Sequence, residues 1–327
     1  MLALAASYSV IDSHTAGHPT RVILSGLPDL PGYTVAGKRD FFRIHHDTLR
    51  PALLHEPSGH AAMVGLVPVA SATAEFGAFF ISSYIYLDMC GHAVIGYAKT
   101  LAATGSIAAP RANFTLEAPA GVVTAHLTWS PDGALTAVRL HNVASYAGVQ
   151  SLTVDVDGIG AIRVDLAYGG IWYAIVDAGA IGLPLEPEYV SRAMAWGAAI
   201  KTAVTAALVS FPPGSGGGTA PSVLFYEEKA RLRARHLVVL ASNKFDRSPC
   251  GTGCSARIAL LAHQGRMAQG ETYMAENLFG VAFAGRIAGW ATERGIIPEI
   301  EGAAHISAFS TIVKEVGDKL GGGFLCI

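Results

Sequence analysis

Two stretches of this chain share one uncommon pattern, which constrains its fold more than any other feature. One reads Asp88-Met89-Cys90-Gly91-His92-Ala93 and runs on through Val94-Ile95-Gly96-Tyr97-Ala98. The other reads Asp246-Arg247-Ser248-Pro249-Cys250-Gly251-Thr252-Gly253-Cys254-Ser255 and runs on through Ala256-Arg257-Ile258-Ala259-Leu260-Leu261. In each, a turn ends in Cys, then come Gly and a polar residue, then a run of small apolar residues. A helix with so little charge is buried all round. The pattern therefore predicts two similar halves, each built on one buried central helix with a Cys at its start.

The remaining periodicity fills in strands. Tyr8–Ile11 and Arg21–Leu24 read as strands flanking a polar turn that holds His14 and His18, and Lys38–Leu54 has helical spacing with a charged outer face. Phe76–Tyr86, rich in aromatics and Ile, is a strand leading to Cys90, and Gly105 ends the helix that follows. Short strands are predicted at Asn113–Leu116, Gly121–Leu127, Leu135–Leu140, Leu152–Val156 and Ile162–Leu166. Gly169-Gly170 opens another strand and permits close backbone approach there. Pro187–Leu208 is helical, and Phe211–Pro221 is a Pro/Gly/Ser loop. His236–Ala241 is an apolar strand leading to Asp246, with further strands at Tyr273–Val281, Gly285–Trp290 and Ile296–Ile300. Ala308–Val313 closes the second half, and the tail from Gly321 pairs back with the first. The expected class is α+β with two pseudo-symmetric domains: 1–130 plus 316–327 carrying Cys90, and 131–315 carrying Cys250.

Composition narrows the function classes. The chain has 327 residues, 51% of them hydrophobic, enough for two cores. Lys plus Arg number 23 against 25 Asp plus Glu, which gives no electrostatic footprint for nucleic acid or an anionic membrane. Four cysteines are too few for a disulfide scaffold, and no Cys-x-x-Cys pair suggests zinc. His14, His18, His55, His60 and His92 lack metal-ligand spacing, so no metal is expected. The short apolar N-terminus lacks a basic segment and does not read as a signal peptide. Pro212, Pro213 and Gly216–Gly218 break the one uncharged run long enough to span a bilayer. The expectation is a cytoplasmic protein with free thiols and a small-molecule partner, with a homodimer left open.

A Cys at a helix start has particular chemistry. The unpaired N–H groups of the first turn carry partial positive charge, favour thiolate and bind a carboxylate. Gly at the next position lets a ligand approach the backbone. Two such starts acting on one substrate would grip its carboxylate and set one sulfur on each face of the attached carbon. One thiolate removes a proton and the opposite thiol delivers one, which is two-base racemisation or epimerisation. Stabilisation of the carbanionic transition state would rest on the N–H groups, with no cofactor. Two other readings exist: buried structural cysteines, and a nucleophilic Cys hydrolase using His60 or His92 as base, which leaves the second Cys unexplained.

These motifs resemble the signatures of the proline racemase family, which also includes hydroxyproline 2-epimerases and trans-3-hydroxy-L-proline dehydratases. The likeness continues through Asp12-Ser13-His14-Thr15-Ala16-Gly17, His55-Glu56-Pro57-Ser58-Gly59-His60, Glu117-Ala118-Pro119-Ala120-Gly121 and Ala167-Tyr168-Gly169-Gly170. It implies a diaminopimelate-epimerase-like fold: two domains, each a strongly curved, mostly antiparallel sheet around a central helix, with the site in the cleft between them. It implies Cys90 and Cys250 as acid and base. It also implies that the amides of Gly91, His92, Gly251 and Thr252 hold the carboxylate. Asp246 and the His92 side chain would lie near the ring nitrogen, and Leu240 would line the ring pocket. Cys250 favours racemisation or epimerisation, because dehydratases of the family resemble chains with Thr there. Ser58 and Ala93 look more like dehydratases, which keeps trans-3-hydroxy-L-proline dehydration, with Cys90 as base, as the alternative. Cys254 stands where Thr is usual and His18 where Glu is frequent. An imino-acid binding protein without turnover is the non-enzymatic reading.

Overall fold

The protein is described here by a computed structural model, which covers residues 3–210, 221–240, 242–291 and 295–326. The expected loop over 211–220 and the end of the expected strand at Ala241 lie outside the described residues. The chain divides into two compact units, residues 1–140 with 303–327, and residues 141–302.

The first unit opens with a long hairpin, β1 (Leu4–Thr15) and β2 (His18–Ser25). Its turn is only Ala16-Gly17, with φ of 48° and 91°. Asp12–Thr15 and His18–Thr20, expected as a polar turn, are therefore paired strand residues, such as Ser13 opposite Thr20. A two-residue turn of this hand keeps both strands in register to its edge. The helical stretch that follows is two pieces, α1 (Val35–His45) and α2 (Leu49–Leu54), the first begun by Thr34 Oγ1 accepting from the Gly37 amide. Strands β3 (Val64–Val69), β4 (Phe76–Ser82) and β5 (Tyr86–Leu87) deliver the chain to α3 (Gly91–Ala103), the helix expected after Cys90. Strands β6 (Asn113–Ala118), β7 (Gly121–Trp129) and β8 (Leu135–His141) then form an antiparallel meander.

The second unit continues with β9 (Tyr146–Ala147), β10 (Leu152–Val156), β11 (Gly160–Tyr168) and β12 (Trp172–Asp177). Helix α4 (Val190–Ala207) precedes β13 (Ser222–Ala230), β14 (Arg233–Val239) and β15 (Phe245–Asp246). Helix α5 (Gly251–His263) follows Cys250, and β16 (Thr272–Glu276), β17 (Ala282–Trp290) and β18 (Ile296–Gly302) complete the unit. The last strand, β19 (Ala304–Glu315), returns to the first unit and pairs antiparallel with β1 along almost its whole length. This corrects the expectation that Ala308–Val313 closes the second half and that the boundaries lie at 131 and 316. The meander holds β8 against β7, and β1 takes β19, so the division falls after Leu140 and after Gly302. The tail does return to the first unit, where Phe324 bridges to Glu56.

Each unit places its small-residue helix inside the sheet and other helices outside. Ala93, Val94, Ile95, Tyr97, Ala98 and Leu101 of α3 pack into a core with Leu66, Phe80, Phe114 and Leu116. On the opposite side of those strands, Phe42 of α1 and Leu53 and Leu54 of α2 pack on Phe79 and Ile81. In the second unit Ala256 and Leu260 of α5 pack against Tyr173, Leu224 and Val238, while Ala193, Ile200 and Val204 of α4 cover the other face with Val223, Phe225 and Leu237. Burying one such Leu or Ile stabilises by about 1.5–3 kcal/mol. Small residues let the strands close on the helix: a Cβ at Gly96 would lie 2.8 Å from Ser13 Oγ. The double arrangement follows from the paired sequence pattern, since each uncharged helix needs a sheet around it.

Candidate active site

Both cysteines occupy the helix N-cap. Cys90 is extended (φ −148°) and precedes α3; Cys250 precedes α5 with φ 65°. Neither cysteine offers a side-chain oxygen to the first-turn amides, and of these amides Gly253 is directed at the Cys250 sulfur. Most Ncap residues are Ser, Thr, Asp or Asn, whose oxygen occupies a first-turn amide. With Cys there instead, those amides can take a ligand carboxylate.

In the first unit the Cys90 sulfur lies 3.3 Å from His92 Nδ1 and 3.7 Å from Nε2. The His92 backbone oxygen accepts from Thr15 Oγ1 at 2.8 Å, which ties the first turn of α3 to the end of β1. The His18 ring meets the His92 ring edge to face, with centroids 4.5 Å apart. Cys90, Gly91 and His92 thus form one cluster, and His18, which stands where the family resemblance has Glu frequent, belongs to it.

In the second unit the Cys250 sulfur lies 3.1 Å from Tyr173 Oη and 3.5 Å from Thr252 Oγ1, and the two hydroxyls lie 2.7 Å apart. Burial pushes the Cys250 thiol up to about 12, and the nearby Asp246 carboxylate pushes the same way. Hydrogen bonds from Tyr173, Thr252 and the Gly253 amide oppose this. At neutral pH this thiol keeps its proton. Tyr173 is wholly buried and raised well above its ordinary value, mainly by burial, so it stays a neutral hydroxyl.

The turn before Cys250 is a chain of hydrogen bonds. The Ser248 amide and hydroxyl donate to Asp246 Oδ1 at 2.9 and 2.8 Å, and the Cys250 amide donates to Ser248 Oγ at 3.1 Å. Asp246 is 6% exposed, and its strand pairs with Val238 in β14. Leu240 packs against the cluster that contains Cys250 and Ala256. Asp246, Leu240, Gly251 and Thr252 therefore gather at Cys250. Gly169 seals the helix start: a Cβ there would lie 2.1 Å from Thr252 O and 2.5 Å from Ala256 N. Asn142 Nδ2 donates to Gly169 O at 2.8 Å and to Ser255 Oγ at 2.9 Å. The glycine-permitted approach expected there is against α5 itself.

Sequence reasoning missed Tyr173, Asn142 and His18 as parts of these clusters. Tyr173 sits in an apolar strand with no local mark of its role; its position soon after Gly169-Gly170 is the one available signal. Among the described residues, no three His, Cys, Asp or Glu side chains are grouped to hold a metal ion, and no helix is long and apolar enough to cross a membrane.

The family model described as proline racemase matches residues 10–325. The chain belongs to the proline racemase family. It is 34% identical over 329 residues to a 3-hydroxyproline 2-epimerase of Burkholderia multivorans, with 98% of each chain covered. It is 33% identical over 335 residues to a trans-3-hydroxy-L-proline dehydratase of Burkholderia cenocepacia, again with 98% of each covered. Among solved structures, a hydroxyproline epimerase from Agrobacterium vitis with bound trans-4-hydroxy-L-proline superposes with a TM-score of 0.84 at 27% identity, covering 98% of this chain and 95% of that one. Relatives at this similarity include a proline racemase, hydroxyproline 2-epimerases and a dehydratase.

Proposed function

We propose that this protein is a racemase or 2-epimerase of proline or a hydroxyproline, working through two cysteines and without a cofactor. The observation that carries the reading is the pair of helix starts, each with a Cys at the N-cap and Gly next to it. The first-turn amides at Gly91 and His92, and at Gly251 and Thr252, bind the substrate carboxylate. The buried Asp246 carboxylate and the His92 ring lie beside the ring nitrogen, where Asp246 makes a charge-assisted hydrogen bond to the ammonium. Leu240 lines the ring pocket with an apolar surface.

The resting states of the two sulfurs divide the labour. Cys250 is protonated, because burial holds it up to about 12. Cys90, beside the His92 imidazole, is the first base. The Cα–H bond breaks as its proton passes to the Cys90 sulfur, while Cys250 S–H gives its proton to the opposite face of Cα. Configuration inverts, and the protein is left with a Cys90 thiol and a Cys250 thiolate. The reverse reaction, or exchange with solvent, resets the pair. Amide donors stabilise the developing enediolate charge in a site with little water.

The test is incubation of L-proline, trans-3-hydroxy-L-proline and trans-4-hydroxy-L-proline separately, followed by chiral chromatography. Appearance of the Cα-inverted product from at least one supports the reading; no inversion of any of them refutes it. A second reading, dehydration of trans-3-hydroxy-L-proline with Cys90 as base, is favoured by Ser58 and Ala93 and by the dehydratase relative. It predicts a cyclic imine from that substrate, detected with an amine–aldehyde reagent.

A further inference from the structure

Cys250 holds a backbone conformation that L side chains rarely adopt, φ 65° with ψ 107°. A non-glycine residue there is strained and persists only where its surroundings over-determine it. The amide of Cys250 is held by Ser248, as described above. The carbonyl on the other side of that peptide, Pro249 O, receives two buried donors. His236 Nδ1 lies 3.2 Å from it and the Cys254 sulfur donates to it at 3.4 Å. Cys254 and His236 are both 1% exposed.

The donor assignments follow from chemistry. A carbonyl only accepts, so the His236 proton sits on Nδ1, and Nε2 then accepts from Tyr273 Oη at 2.7 Å. Burial drives His236 down to about 3, so it is neutral and keeps that tautomer at neutral pH. Burial likewise keeps the Cys254 thiol protonated. Cys254 lies one turn into α5 and its amide donates to Cys250 O at 2.8 Å. Its side chain reaches back past the N-cap to the preceding carbonyl. The Pro249–Cys250 peptide is thereby fixed at both its N–H and its C=O.

We infer that Cys254 and His236 are positioning residues for Cys250: their paired hydrogen bonds to Pro249 O hold the left-handed backbone that aims the Cys250 sulfur. This rests on the reading of Cys250 as an acid/base group, and it gives Cys254 a role distinct from its neighbour's chemistry. The thiol acts through its S–H donor alone, so a hydroxyl of similar size serves equally.

The experiment compares Cys254→Thr with Cys254→Val, isosteres that differ in having a donor. Mass spectrometry reads the initial alkylation rates of Cys250 and Cys90 by iodoacetamide without substrate, and racemisation kinetics are measured alongside. Cys254→Thr is expected to keep the Cys250-to-Cys90 alkylation ratio and kcat within about threefold. Cys254→Val is expected to shift the ratio by more than threefold and lower kcat by about tenfold, with KM changed by less than threefold. Equal behaviour of the two variants, whether both active or both impaired, overturns the inference. If the Val variant does not fold, Cys254→Ser and Cys254→Ala make the same comparison. Alkylation needs no turnover, so a protein inert toward every imino acid refutes the functional reading and leaves this result standing.

Discussion

The Tyr173 hydroxyl lies 3.1 Å from the sulfur of Cys250, inside the core that packs α5 against its sheet. A strand residue thus reaches the helix N-cap and touches the proposed acid. Tyr173 also reaches Thr252 Oγ1, so one hydroxyl connects the sulfur with the first turn of the helix.

Tyr173→Phe removes this contact and leaves the ring. The Tyr173 hydrogen bond lowers the Cys250 thiol against the upward push of burial. Its loss makes Cys250 still harder to ionise. A hydrogen bond to a charged group contributes about 1.5–3 kcal/mol, so kcat should fall about ten- to hundredfold in the direction that uses Cys250 as base. The limb of the pH–rate profile set by Cys250 should move to higher pH. Rates measured from each enantiomer across pH check this; an unmoved limb in both directions would sink the assignment.

Gly169→Ala should be costly. Its Cβ would meet Thr252 O at 2.1 Å and Ala256 N at 2.5 Å, both backbone atoms that cannot rotate away. Overpacking of this kind costs about 1–3 kcal/mol and displaces the first turn of α5, so activity falls with stability. Gly289→Ala is the control: it has open space around its Cβ and an ordinary φ. Urea denaturation of both variants should separate them by more than about 1 kcal/mol.

Arg21 ties the β1–β2 hairpin to α2 and the turn after it. It donates to Asp12 Oδ1 and Oδ2 at 2.8 and 2.7 Å, and to the carbonyls of Leu53 and Ser58 at 2.7 Å each. Both partners of the ion pair are mostly buried. Arg21→Met strands a carboxylate and two carbonyls, and stability should drop by about 3–5 kcal/mol. A melting temperature equal to that of the unsubstituted protein would contradict this.

Stability should weaken in acid partly through His236. Its folded value is about 3 against an ordinary 6.5, so the unfolded chain takes up a proton that the folded protein refuses. The stabilisation is complete above pH 6.5 and is lost as pH falls toward 3. In His236→Gln, unfolding free energies measured between these limits should fall less steeply with pH, by about one proton's worth of slope. Parallel curves for the two proteins would refute the linkage.

The two central helices were legible because a run such as Ala93–Ala98, with almost no charge, can only be buried. The cysteines and their glycines were legible because they form a repeated local motif. The β1–β2 turn was not, since Ala16 carries no local mark of its left-handed φ, and Gly17 alone marked the turn. The fate of β19 was hidden too: its partner β1 lies at the other end of the chain, and strand periodicity does not name a partner. The strand β13 was not read: it follows a Pro/Gly/Ser loop, and Glu227-Glu228-Lys229 interrupts the apolar pattern of its first half. At the site, Asp246 came from family resemblance, while Tyr173 and His236 did not emerge at all. Their roles rest on hydrogen bonds to Cys250 and to Pro249 O, set by how strands pack on α5.

The central claim is that two thiols serve one Cα. It is tested most directly by following Cα–H exchange by NMR in deuterated water, for the unsubstituted protein, Cys90→Ser and Cys250→Ser, with each enantiomer of the preferred substrate. The account predicts inverted, Cα-deuterated product from the unsubstituted protein and a fall in inversion of at least about a thousandfold in each variant. Inversion at an undiminished rate in either variant would contradict it.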